Sequence, residues 1–310
     1  MSAAVLGLDE PLRLFDVGAR ADIDPRWERF HGDLEVLGFE PDADECARLN
    51  AITDRRYKAR FLPYALGAED GERTFHVSRW PVASSTYAPN VEFLADFPEA
   101  AALLETVERR ALALTRLDSV VAREGVQPDI LKVDVEGAEL DVLRGGEDAL
   151  AGSLALDIEV EFVPLFRDQP LFADVDTFLR QRSWQLLGLR RVSWRRTRGL
   201  TRGMSGDGGQ LVSADALYVN AGARTTGLSM LRALKLAAIL AAYRQQDFAA
   251  ALLLEPPLDS LADHERDRLF RTLCPPVRWA RRVASRVASR YDAARRRALA
   301  DALQDARATV

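Results

Sequence analysis

Three acids crowd the C-terminal end of one apolar run. They are Asp134, Glu136 and Glu139 in LKVDVEGAELDVLR, residues 131–144. Ile130–Val133 reads as a buried strand, Gly137 as the turn and the residues from Ala138 as a helix. In an open α/β sheet, ligands sit outside the carboxyl ends of the strands. Carboxylates gathered there can act as a general base, orient a hydroxyl or hold a divalent metal. The helix macrodipole accounts for Glu139, but not for Asp134, which ends an apolar strand. Glu159 and Glu161, in IEVEF, alternate and so share one face of another strand. Asp134, Glu136 and Glu159 are the candidate catalytic set. No histidine lies near them in sequence, and no metal is assigned.

A second group begins at Asp16-Val17-Gly18-Ala19, in which the apolar run Leu12–Val17 ends. Gly18 lets backbone approach a ligand closely. Glu40 ends the next apolar run and can accept both hydroxyls of a ribose, as such acids do for adenosine-containing ligands. The turn reads GARAD, without the glycines of a dinucleotide phosphate cradle. That disfavours a nicotinamide oxidoreductase and leaves ligands without a pyrophosphate. Ser84-Ser85 and Tyr87 form a hydroxyl-rich loop. His31, His76 and His264 are scattered, and no Ser-His-Asp or Cys-His pattern is present.

These residues need elements to hold them. Strands are expected at Leu12–Val17, Leu34–Phe39, Ala59–Tyr64, Thr74–Ser78, Val107–Leu114, Ile130–Val133, Leu154–Phe162, Trp184–Leu189 and Leu211–Val219. Helices are expected from Asp24-Pro25, from Asp42 to about Tyr57, and over Ala95–Leu104, Leu117–Glu124, Ala138–Leu143 and Asp174–Gln181. The alternation predicts a mostly parallel sheet with helices on both faces. The last two strands have no helix between them and predict an edge hairpin closed by Arg195–Gly209. From Leu228 onward the pattern is helical only, over Leu228–Arg244, Asp247–Leu254 and Leu258–Thr272.

Charge divides the chain. Residues 221–310 carry 16 basic and 9 acidic residues (+7), leaving 42 − 16 = 26 basic and 47 − 9 = 38 acidic (−12) for residues 1–220. A boundary is therefore placed at 220/221. Trp279, Val283, Val287 and Tyr291 line one face of a last, arginine-rich helix. That helix would pack on the acidic body or lie on an anionic membrane surface. No nucleic-acid module is recognisable. Cys46 and Cys274 form no metal or disulfide pattern. The N-terminal residues lack a secretory pattern, and Leu228–Tyr243 is interrupted by Arg232 and Lys235. A cytoplasmic protein is expected.

LKVDVEGAELDVLRG resembles the signature of the FkbM family of S-adenosylmethionine-dependent methyltransferases. LFDVGA and GFEPDADECARLN are similar to that family's first and second cofactor motifs, and Tyr64–Gly67 with Asp70-Gly71 to its third. EVEFVPLFRDQPLFADVDTFL resembles its downstream segment. The likeness covers about residues 13–190. It implies a class I, Rossmann-like methyltransferase sheet of seven mostly parallel strands, the last antiparallel. Residues 1–220 would be that domain and 221–310 a helical extension. The resemblance also implies O-methylation of a sugar, glycan or natural-product hydroxyl with S-adenosyl-L-methionine. Asp16 and Gly18 would line the methionine end, Glu40 the ribose, Ala65 and Leu66 the adenine, and Asp134 the sulfonium. Ala19, Pro41 and Ser85 are assigned to the same site. Arg20 and Asp22 depart from the family's DVGAN-x-G, Asp22 standing where glycine is common. An adenosine-binding scaffold without catalysis is the alternative that this departure supports.

Overall fold

The computed structural model of the chain describes residues 6, 8–20, 22–196 and 209–275. The strands are β1 (Leu12–Val17), β2 (Leu34–Phe39), β3 (Lys58–Leu62), β4 (Ala65–Leu66), β5 (Gly71–Ser78), β6 (Thr106–Thr115), β7 (Ile130–Val133), β8 (Ala155–Glu161), β9 (Trp184–Trp194) and β10 (Gln210–Asn220). The helices are α1 (Ala43–Asn50), α2 (Val91–Leu94), α3 (Pro98–Leu104), α4 (Leu117–Glu124), α5 (Glu139–Gly145), α6 (Glu147–Gly152), α7 (Phe172–Arg180), α8 (Ala221–Thr225), α9 (Met230–Ala242), α10 (Gln246–Leu252) and α11 (Asp263–Leu273).

Seven strands form one sheet in the order β3-β2-β1-β7-β8-β10-β9. All pair in parallel except β10, which runs antiparallel to both β8 and β9. The edge hairpin of the sequence reading is β9–β10, with β10 folded inward next to β8. A smaller sheet, β4-β6-β5, stands beside the main one. Connections leave β1 toward β2 on one side and arrive at β7 on the other, so the crevice for a ligand opens between β1 and β7.

The central strands are apolar on both faces because both are covered. Leu12 and Leu14 point into a core with Trp27, Phe30, Leu236, Ile239 and Leu240, while Phe15 and Val17 point into another with Leu117, Val142 and Leu143. The helices after residue 220 therefore complete the core on one face of the sheet. α9 also carries a buried cation: Lys235 Nζ lies 2.8 Å from Asp129 Oδ2. No helix among the described residues is long and apolar enough to cross a membrane.

Several boundaries differ from expectation for local reasons. Asp42 caps α1 through the amides of Asp44 and Glu45, but the helix ends at Asn50, not near Tyr57. The Asn50 amide donates to Cys46 O and Phe61 O and accepts from Phe61 N, tying the helix end to β3. The segment from Pro25 is a 3-10 helix to Asp33, with non-helical backbone at His31. The helix expected over Ala95–Leu104 begins only at Pro98, which opens α3, and a separate short helix, α2, precedes the expected range. Residues 197–208 of the hairpin connection and the basic helix with Trp279, Val283, Val287 and Tyr291 lie outside the described residues.

Candidate active site

The turn after β1 and the turn after β7 meet backbone to backbone. Gly18 has φ +82°, and a Cβ there would stand 1.9 Å from the Asp134 carbonyl oxygen. The N–H groups of Gly18 and Ala19 both donate to Phe39 O at 3.1 Å, and Asp134 N–H donates to Val17 O. These bonds bring the ends of β1, β2 and β7 together. Ala19 is itself buried beneath the turn.

A cavity of about 160 Å³ opens above them. Gly18, Glu40, Pro41, Ala65, Leu66, Asp134 and Glu136 line it, with Phe39, Phe75, Val82, Leu112 and Leu114 as apolar wall. The small sheet supplies much of that wall. Glu40 is 3% exposed, and one carboxylate oxygen accepts the Asp42 N–H at 2.8 Å. Burial raises its pKa above the ordinary carboxylate range. Arg20 lies 3.9 Å from Glu40 and 3.6 Å from Asp42. Arg20 thus reinforces the acid end of the cavity. Asp22 has φ +79°, a conformation that costs most residues but that Asp tolerates. The Arg55 guanidinium holds it at 2.8 Å, so the glycine-like turn persists without glycine.

A second cavity of about 350 Å³ adjoins the first. Lys132 and Asp134 line both. Asp16 and Glu159 belong to the second cavity. Lys132 Nζ lies 3.4 Å from Asp16 and 3.2 Å from Asp134. Burial alone would lower its pKa, but the two carboxylates hold it above the ordinary lysine value. Sequence motifs alone assign Lys132 no role. A lone lysine inside the buried strand ILKV must find acids, and that was the available signal.

Asp134, Glu136 and Glu159 bring carboxylate oxygens within 4.8 Å of one another, as do Glu139, Glu159 and Glu161. Either trio could hold a divalent cation. Glu139 caps the turn, accepting from Val135 N at 2.8 Å and Gly137 N at 3.2 Å. Burial pushes its carboxyl up to about 7. Burial and neighbouring carboxylates hold Glu136, Glu159 and Glu161 well above the ordinary range. Glu136 sits at φ +59°. The Ser85 hydroxyl donates to Glu136 O at 2.6 Å and accepts from Tyr87 N, pinning the strained loop. Ser85 is buried under the site, and its neighbours Ser84 and Thr86 line the cavity instead.

Strand order, the lone antiparallel strand, the glycine turn after β1, the buried acid after β2 and the acid after β7 define a class I methyltransferase fold. A family model, the Methyltransferase FkbM domain, matches residues 16–186. The chain belongs to the FkbM methyltransferase family. Among solved structures it is similar to methyltransferase FkbM from Methylobacillus flagellatus KT, at 14% identity and TM-score 0.39. That match covers 70% of this chain and 48% of the other, about half its length. A putative precorrin-6Y C5,15-methyltransferase domain from Corynebacterium diphtheriae is 11% identical, with TM-score 0.31 over 70% of this chain and 91% of that one. The tRNA methyltransferase TrmK of B. subtilis is 10% identical, with TM-score 0.31 over 87% and 94%. No curated protein matches the chain.

Proposed function

We propose that the protein is an S-adenosylmethionine-dependent O-methyltransferase acting on a hydroxyl of a sugar, glycan or natural product. Glu40 carries the reading: a buried carboxylate with a free oxygen, at the rim of an apolar cavity closed by Gly18. Ribose hydroxyls suit Glu40, and adenine suits Ala65, Leu66 and Phe75. The Gly18 turn admits no Cβ, which fits a ligand held close to backbone. Nothing in this turn is built for a pyrophosphate, which argues against a nicotinamide cofactor.

When bound, the cofactor supplies an electrophilic methyl whose S–C bond breaks as the acceptor O–C bond forms, leaving S-adenosylhomocysteine. The protein has to align the hydroxyl and accept its proton. Asp134 lines both cavities and is held by Lys132, so it orients the hydroxyl. Glu136 lines the first cavity with a carboxylate oxygen within 4.8 Å of one on Asp134, and takes the proton.

Calorimetry with S-adenosylmethionine, followed by labelled-methyl transfer to glycan extracts, tests the reading. Binding without transfer to any acceptor would favour the adenosine-binding scaffold. Asp134→Asn should lower turnover far more than cofactor affinity, and equal losses in both would remove its role at the acceptor.

A further inference from the structure

The second cavity is unevenly charged, and the imbalance bears on the acceptor. Lys132 serves both Asp16 and Asp134. Arg26 serves both Asp24, at 2.8 Å, and Asp157, at 3.8 Å. Asp157 also accepts the Tyr243 hydroxyl at 2.8 Å. Arg190 pairs with Asp215, and Arg55 holds Asp22. Each lining cation is therefore already committed. Among the described residues the Glu159 carboxylate has neither an ion pair nor a hydrogen bond, though it lines the cavity within 4.8 Å of those of Asp134 and Glu136.

Carboxylates beside guanidinium and ammonium groups suit hydroxyls, which donate and accept. A volume of about 350 Å³ lies at the small end of ligand sites and suits a single sugar ring. Surplus negative charge opposes a carboxylate- or phosphate-bearing acceptor. A protonated amine beside Glu159 would instead favour the carboxylate form that burial and the neighbouring acids disfavour, and gain a charge-assisted hydrogen bond to it. We infer that the acceptor is an amine-bearing polyol of the amino-sugar kind, its ammonium seated against Glu159 and its reacting hydroxyl toward Asp134. The reacting hydroxyl rests on the methyl-transfer reading; the ammonium seat does not. Arg190, Asp215 and Tyr243 all lie beyond the family match at 16–186. The edge hairpin and α9 thus close the cavity around Glu159, which itself lies on β8 inside the matched segment.

The test is equilibrium binding to the full chain, with and without S-adenosylhomocysteine, using D-glucosamine, methyl glucoside and D-glucuronate as probes. Glucosamine should bind at least about tenfold tighter than glucuronate, a difference of about 1.4 kcal/mol. Glu159→Gln should erase its advantage over methyl glucoside while S-adenosylhomocysteine affinity stays within about twofold. Thermal melting shows that the variant is folded. Equal binding of glucuronate, no binding of glucosamine, or an advantage that survives Glu159→Gln overturns the inference. So does Glu159-dependent Mn²⁺ binding that displaces glucosamine, which would give the seat to a metal ion. Failure of S-adenosylhomocysteine to bind, with the glucosamine preference intact, strikes the cofactor reading and supports the seat.

Discussion

Replacing Glu40 by glutamine isolates the cofactor reading from the stability of the fold. The side chain is 4% exposed, with one oxygen on the Asp42 N–H. Glutamine keeps the volume and, through Oε1, that bond. The other oxygen becomes an amide nitrogen, and the charge that would receive a ribose hydroxyl is lost. A hydrogen bond to a charged group is worth about 1.5–3 kcal/mol, so the Kd for S-adenosylhomocysteine should rise about 10- to 150-fold. The unliganded protein should melt no lower than wild type. Burial already disfavours the Glu40 charge, and Arg20 retains Asp42 at 3.6 Å. Calorimetry and thermal melting on the same preparation give both numbers. A Kd within about twofold of wild type would refute the assignment. A lowered melting temperature with unchanged affinity would make Glu40 a structural acid.

Other outcomes follow from the same geometry. Gly18→Ala places a methyl 1.9 Å from the Asp134 carbonyl at φ +82°. The backbone conformation alone costs about 1–2 kcal/mol, so melting and S-adenosylhomocysteine affinity should both fall; full retention of either contradicts the cradle. Lys235→Met strands the buried Asp129 carboxylate and should cost about 3–5 kcal/mol, or roughly 10 °C in melting temperature; a change of a degree or two would mean that α9 is not anchored there. The unliganded protein should also lose stability between about pH 5 and 7.5. Glu139 rises from 4.5 to about 7 and Asp157 from 3.8 to about 6, both chiefly through burial. Groups whose folded pKa is raised stabilise fully below their unfolded pKa and lose that contribution as pH climbs through the folded value. For Glu139 this is worth about 3 kcal/mol. Denaturant titration at both pH values, with Glu139→Gln as the flattened control, measures it.

Much of the frame was legible because it is local. Strand runs bounded by glycine and acid marked β1, β2, β7 and β8, and Leu117–Glu124 matched its helix residue for residue. Gly18 and Glu40 carried chemistry recognisable from type and spacing. The second cavity was not legible, because its walls come from Asp16, Arg26, Lys132, Arg190, Asp215 and Tyr243. No periodicity links an aspartate at 157 to a tyrosine at 243. Ser85 illustrates the limit at short range. A hydroxyl-rich loop was visible, but which hydroxyl faces the ligand depends on the backbone bond from His76 N to Ser85 O, which turns Ser84 and Thr86 toward the cavity. The charge boundary at 220/221 coincides with the end of β10, yet the helices beyond it share the core on one face of the sheet. Chain composition reports charge; burial of Leu236 and Ile239 against Leu12 and Leu14 is set by tertiary packing.

The most direct test is a crystal structure of the protein with S-adenosylhomocysteine. The ribose hydroxyls should lie on the free oxygen of Glu40, the adenine against Ala65 and Leu66, and the sulfur beside Gly18 and Asp134, facing the second cavity. A nucleoside bound elsewhere, or Glu40 left without contact to the ribose, would contradict the account.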